Sequence, residues 1–188
     1  FYDARTTSAD SRQCSFEILA REQQPAKTFL NHIAISPTKN PDRIEWFVEK
    51  AVELGIDRIT LMACENSEKS FLKTDRLKKI AVSAMKQSLR AQLPEIISTT
   101  PFKIIAESST EKQKFIAHVD AGNTLHLKDA AQRNESHVVL IGPEGDFSDE
   151  EVELALKHGF QKVSLGKSRL RTETAGLAAC FTLDLINS

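Results

Sequence analysis

The sequence predicts an α/β protein built on a mostly parallel sheet with helices on both faces, and three observations carry that prediction. From Phe29 onward, short apolar runs of strand length alternate with longer segments of helical period, the pattern of strand–helix–strand units. The run HVVLIG (His137 to Gly142) is apolar without alternation, as a parallel strand covered on both faces must be. The glycines are few and concentrated: of seven in 188 residues, Gly142, Gly145, Gly159, Gly166 and Gly176 all lie between 142 and 176.

Residues 1–28 stand apart. They alternate loosely, CSFEILA (Cys14 to Ala20) reads as a strand, and the stretch ends in the polar REQQPAKT. A piece this short is below the roughly 40 residues that usually fold unaided. It is expected to be the tail of a small β domain whose beginning lies upstream of Phe1, with a boundary between Pro25 and Thr28 and the α/β domain spanning 29–188.

FLNHIAIS (29–36) opens that domain as a strand. In TKNPDRIEWFVEKAVELG (38–55), Asn40 caps and Pro41 suits the first helical position. Ile44, Phe47, Val48, Ala51 and Val52 share one face, and Gly55 ends the helix. IDRITLMA (56–63) is the next strand. A second helix over Thr74 to Leu93 turns Leu77, Ala81, Ala84 and Met85 inward and stops before Pro94. PFKIIAESS is a short helix, KQKFIAHVD a strand, and DAGNTLHLKDAAQRNESH a polar loop. After HVVLIG, Ser148 and Glu151 have capping-box spacing for a helix to about His158. QKVSLG is a strand and RTETAGLAACFTLDLIN the closing helix. The chain has no internal repeats or low-complexity runs.

A formal charge of −1 and pI near 6.6 exclude a chain coated in positive charge, so nucleic-acid contact must come from a local patch. One exists. Between Lys69 and Arg90 lie Lys69, Lys73, Arg76, Lys78, Lys79, Lys86 and Arg90, seven basic residues against the single acid Asp75. Such a helix face either binds phosphates or is merely solvated. Cys14, Cys64 and Cys180 match neither a disulfide framework nor zinc-ligand spacing and read as reduced thiols in a cytoplasm. No run approaches the ~18 apolar residues of a membrane span, no leader opens the chain and no metal site is visible.

Gly142 and Gly145 directly follow one strand and Gly166 the next, and ligands of open α/β sheets bind at the carboxyl ends of strands. One such loop is ordinarily just a tight turn. Two neighbouring ones, the second continuing into KSRLRTETAG, read as a pocket in which backbone meets a ligand. The spacing matches neither a P-loop nor a dinucleotide fingerprint. Arg169, Arg171 and Glu173 fall at a helix start, where free N–H groups favour an anion. His118 ends a strand and is either a site residue or a structural histidine; Trp46 reads as packing or interface.

Together, NPDRIEWFVEKAVELGIDRI, MKQSLRAQLPEI, VVLIGPEGDFS and SLGKSRLRTETA closely resemble the RsmE family, 16S ribosomal RNA uridine-N3 methyltransferases of the SPOUT superfamily. The resemblance runs from about Asn31 to Asn187. It implies a C-terminal trefoil knot, a PUA-like barrel to which residues 1–28 would belong, a homodimer, and S-adenosylmethionine as cofactor with S-adenosylhomocysteine as product. The implied donor pocket takes Leu140, Gly142, Pro143 and Gly145 from the first loop. Leu165, Gly166, Leu170, Arg171, Glu173, Thr174 and Ala175 come from the second, with His118 beside them. The implied partner is 16S rRNA in the small ribosomal subunit, gripped by the 69–90 patch with Gln87.

The chain departs from the family's commonest pattern in places. It has Glu65-Asn66 where Glu-Arg is usual, Lys86 where Glu precedes Gln87, and Asp146 where a third glycine is frequent. The resemblance makes Arg171 or Arg90 the group that stabilises charge on the uracil carbonyls, and leaves Glu173, Glu144 and His118 open as general base. Related SPOUT enzymes acting on another base or a ribose 2′-hydroxyl, and a non-catalytic RNA-binding assembly factor, are the alternatives.

Overall fold

The computed structural model describes residues 1–25, 27–68, 72–118, 122 and 125–188. β1 (Tyr2–Ala9) and β2 (Cys14–Arg21) pair antiparallel in a two-stranded sheet with every residue exposed. The polar sequence of β1 hides it from an apolar reading, so only β2 is expected from the pattern. Lys27 ties the segment that follows to the main domain, its Nζ donating to both Asp57 carboxylate oxygens at 3.0 and 3.2 Å.

The main sheet comprises β3 (Leu30–Ile35), β4 (Arg58–Ala63), β5 (Glu95–Pro101), β6 (Gln113–Ala117), β7 (Ser136–Ile141) and β8 (Gln161–Val163). Its spatial order is β5-β4-β3-β7-β6-β8 and each of its strand pairings is parallel. The helices are α1 (Pro41–Glu53), α2 (Thr74–Gln87), α3 (Phe102–Ser108), α4 (Leu127–Ala130), α5 (Asp149–Lys157) and α6 (Thr172–Asn187). One core layer packs Ile33, Ile35, Ile59, Leu61, Val139 and Ile141 under α1, α2 and α6; the other packs Ala34, Met62, Val138 and Leu140 under α3 and α5. Strand alternation thus feeds two layers, which is why the carboxyl-terminal halves of β3 and β7, covered on both faces, are apolar.

The first strands wind outward from β3 to β5, and the later ones lie on the other side of β3. The direction of winding reverses between β3 and β7, which places a crevice at their carboxyl ends. Ser36 N donates to Ile141 O at 2.9 Å there, extending the ladder one step beyond β3.

Two expectations are corrected, and one strand is added. The second helix ends at Gln87 rather than Leu93: Ser88 Oγ donates back to Ala84 O at 2.8 Å and Leu89 takes φ +53°. Helices commonly stop on a left-handed residue, normally glycine, and a leucine there gives no warning. β5 is a strand in a segment to which the sequence pattern assigns no element; it is an edge strand with little but Ile96 buried. α4 is a single turn inside the expected polar loop. Gly176 lies within α6, as the closing-helix reading has it. Cys14 is exposed and Cys64 and Cys180 are buried, all three unpaired; burial pushes both buried thiols well above the usual range.

Candidate functional site

Four loops meet at the carboxyl ends of β3, β4, β7 and β8. After β7, Gly142 to Phe147 forms a tight turn in which Asp146 N donates to Pro143 O at 2.9 Å. Asp146 stands at φ +62°, where glycine is free of strain and aspartate is tolerated because its carboxylate bonds locally. Here Asp146 Oδ1 accepts from Phe147 N at 2.8 Å and faces His118 Nδ1 at 3.2 Å. The family's frequent glycine at this position therefore has a conformational equivalent in this chain. Phe147 is buried against Phe102, with ring centroids 5.6 Å apart, and anchors the turn.

Asn66, another departure from the family pattern, ties the loop after β4 to the same turn. Its Nδ2 donates to Asp146 O at 3.2 Å and to Gly145 O at 3.5 Å. Glu151 closes the capping box of α5 with Ser148 and also accepts from Glu65 N at 2.9 Å, so the start of α5 fixes this loop too.

After β8, Ser164 Oγ holds the backbone of Gly166 on both sides, at 3.0 and 3.1 Å. Gly166 is at φ +128° with open space where a side chain would stand. Leu165 packs on the core, Leu170 is half-buried, and Arg171 is the exposed N-cap of α6, its carbonyl accepting from Ala175 N at 2.8 Å. Thr172 Oγ1 donates to Gly142 O at 3.1 Å, a direct link between the two glycine-containing loops.

Glu173, in the first turn of α6, is 7% exposed. Its Oε1 lies 3.8 Å from Arg43 Nε, an ion-pair contact too long for a hydrogen bond, and its Oε2 is buried without a partner among the described residues. A buried acceptor left unsatisfied costs about 1–3 kcal/mol, so this oxygen is held in place by the surrounding fold rather than by its own contacts.

Two clefts open on these groups. One, of about 680 Å³, is lined by Lys39, Asn40, Pro41, Arg43, Asn66, Glu68, Glu144 and Gly145. The other, of about 500 Å³, is lined by Asp42, Arg43, Trp46, Arg171, Glu173 and Thr174. Both volumes are in the range of small-molecule sites. Sequence reasoning missed Arg43, Lys39 and Asp42 as site residues. Their segment carries such complete helix signals that it reads as architecture, although the turn before a helix that follows β3 must lie at the crevice.

The structure brings together Gly142, Pro143, Gly145, Leu170, Arg171, Glu173, Thr174 and His118. Leu140 is wholly buried in β7, paired between Ala34 of β3 and Ile116 of β6. Arg90 is not brought to them. Its Nη2 donates to Glu53 O at 2.8 Å, at the end of α1 and hence at the amino ends of the strands. Lys73, Arg76, Lys78, Lys79, Lys86 and Gln87 are exposed along α2, whose 14 residues span about 20 Å, with Lys73 at the crevice end and Lys86 at the far end. Arg76 is paired to Glu45 at 2.8 Å. Lys69 lies outside the described residues.

With this geometry, residues 25–184 match the family described as an RNA methyltransferase domain. The Ribosomal RNA small subunit methyltransferase E of Mesomycoplasma hyopneumoniae (strain 232) is 30% identical over 183 residues, covering 94% of this chain and 78% of that protein. A solved structure of a probable rRNA-methyltransferase from Porphyromonas gingivalis superposes with a TM-score of 0.93 at 41% identity, over 99% of this chain and 80% of that one. The Ribosomal RNA small subunit methyltransferase E from Neisseria gonorrhoeae bound to S-adenosyl methionine superposes with a TM-score of 0.81 at 27% identity, over 99% of this chain and 78% of its own.

Proposed function

The chain belongs to the RNA methyltransferase domain family, and from that premise we propose that it is an RsmE-type enzyme that transfers a methyl group from S-adenosylmethionine to N3 of a uridine in 16S rRNA. Its partner is then the small ribosomal subunit and its compartment the cytoplasm; no helix among the described residues is long and apolar enough to cross a membrane. The observation that carries this reading is the Thr172 to Gly142 hydrogen bond at the reversal of strand order. It draws the two loops singled out by the sequence onto one point.

The residues fit such a cofactor. The space beside Gly166 and the free amide groups at the start of α6 leave backbone donors and acceptors for a nucleoside and an amino acid. Leu140, Gly142, Pro143 and Gly145 would hold it from one side. Leu165, Gly166, Leu170, Thr174 and Ala175 would hold it from the other, with His118 behind the glycine turn. The bound cofactor supplies a methyl already activated on sulfonium sulfur, leaving S-adenosylhomocysteine. The chain's own tasks are to orient the base, to take its imide proton and to stabilise charge on its carbonyls. Arg171 and Glu173 are the groups placed for the last two.

The pairing edge must be exposed for N3 to react, so the target nucleotide is unpaired or flipped. The exposed cations of α2, with Lys69 and Gln87, would hold phosphates of the strand that carries it, and Arg90, bonded to Glu53 O at the other end of the sheet, is left out of that role. Residues 1–28 are assigned to a PUA-like β domain: Phe16, Ile18 and Leu19 are exposed on both faces of a two-stranded sheet, which is marginal alone. A trefoil knot is supported by the return of α6 from the edge strand β8 to pack against β3 and α1. A homodimer is supported by Phe181 and Leu185, large apolar side chains exposed four residues apart on α6.

The protein and labelled S-adenosylmethionine, incubated with unmodified small subunits, should give one reverse-transcription arrest at a uridine, because N3-methyluridine cannot pair. Arg171→Ala should lower kcat about 10²-fold or more while donor binding persists. Donor binding without any methylated RNA would overturn the substrate assignment.

A further inference from the structure

Arg43 is the residue common to both clefts. Its guanidinium makes no hydrogen bond among the described residues and meets Glu173 only as a 3.8 Å ion pair, so its donors remain available. Glu173 offers the reverse: a carboxylate nine-tenths buried, with one oxygen facing Arg43 and the other without a partner. Cation donors and a sheltered acceptor thus stand side by side at the junction of the two clefts.

That pairing matches one nucleobase edge. Uracil presents carbonyl, N–H, carbonyl, and its complement is donor, acceptor, donor. Cytosine presents an amino donor and an unprotonated N3, which set donor against donor and lone pair against carboxylate. We propose that Arg43 and Glu173 together read the imide edge of the acceptor base, Glu173 taking the N3 proton and Arg43 holding a flanking carbonyl; this rests on the reading of the chain as a uridine-N3 methyltransferase. Arg171, in the same cleft, is the second donor. The other bases in contention are worse placed: Glu144 is exposed to water, and His118 faces Asp146 at 3.2 Å.

The step balances. The N3 proton passes to a Glu173 oxygen, and the N3 electron pair forms the new N–C bond to the methyl carbon. The C–S bond breaks with its pair left on sulfur, so the sulfonium becomes a neutral thioether. The proton on Glu173 then leaves to water. As the imide gives up its proton, negative charge spreads to the carbonyls, where Arg43 is strongest.

The test compares wild type, Glu173→Gln, Arg43→Ala and Arg43→Lys on small-subunit RNA carrying either uridine or 5-fluorouridine, whose N3–H is the more acidic. On uridine, Glu173→Gln should lose about 10²- to 10⁴-fold in kcat and Arg43→Ala about 10²- to 10³-fold. KM for RNA and donor binding by equilibrium dialysis should stay within about threefold, and Arg43→Lys should recover part of the loss. On 5-fluorouridine RNA, both disabled variants should regain about tenfold relative to wild type, because a more acidic imide needs less help. The same fractional loss on both RNAs, or a loss of donor binding in Glu173→Gln, would overturn the inference and leave the enzyme assignment standing. Absence of transfer by wild type to either RNA would remove that assignment and this inference with it.

Discussion

A Cβ on Gly176 would lie 2.8 Å from Ile35 Cδ1 and 2.8 Å from Phe47 Cε2, both on side chains with no exposure. Alanine is the better helix former by about 1 kcal/mol, yet overpacking a filled core costs about 1–3 kcal/mol. Gly176→Ala should therefore lower the urea midpoint, and a raised midpoint would mean that α6 has slack against α1. Acid sensitivity is also decided by single residues. His32 Nδ1 lies 2.8 Å from Glu111 Oε1, both residues buried, and Arg58 approaches the same oxygen at 3.4 Å. Burial works to raise the Glu111 carboxyl, but the His32 hydrogen bond and charge, with Arg58, outweigh it and hold it below 4.5. A depressed carboxylate contributes stability that is present above 4.5 and lost as pH falls through its folded value. Burial likewise holds His137 below 6.5. The unfolded chain then takes up that proton before the folded one does, and stability declines as pH drops under 6.5. Urea melts between pH 7 and 3 should show two successive losses, and Glu111→Gln should remove the lower one.

At the scale of elements, α5 shows how far local sequence reaches. Ser148 and Glu151 form the capping box their spacing predicts, and Ser148→Ala should cost about 1 kcal/mol in the same melts; an unchanged midpoint would show that the loop contact of Glu151 carries the cap. α1 is legible for the same reason, since Asn40, Pro41 and its five-residue buried face are all local signals. Where a boundary depends on something non-local, the pattern fails. α2 ends early on a left-handed leucine with no glycine to mark it, and β5 is a strand only because β4 offers it an edge. The one-turn α4 forms beside Ser164, which accepts from Leu127 N at 3.0 Å, a partner 37 residues away that no window along the chain contains.

For the whole molecule, α6 presents an exposed apolar pair, Phe181 and Leu185. If Phe181 and Leu185 are covered by a second copy, Phe181→Glu combined with Leu185→Glu should convert a dimer to a monomer in sedimentation velocity while circular dichroism is retained. A wild-type chain that sediments as a monomer would refute the dimer. The parallel α/β architecture, the two core layers and the positions of both glycine-containing loops follow from the sequence alone, because hydrophobic period and capping act over a few residues and need no knowledge of distant partners. The strand order, the reversal between β3 and β7, and the meeting of Arg43 with Glu173 across 130 residues were decided only by the tertiary structure. Packing at the carboxyl ends of the sheet selects which loops meet, and a charge left without a hydrogen bond in that crevice has no signature in local sequence.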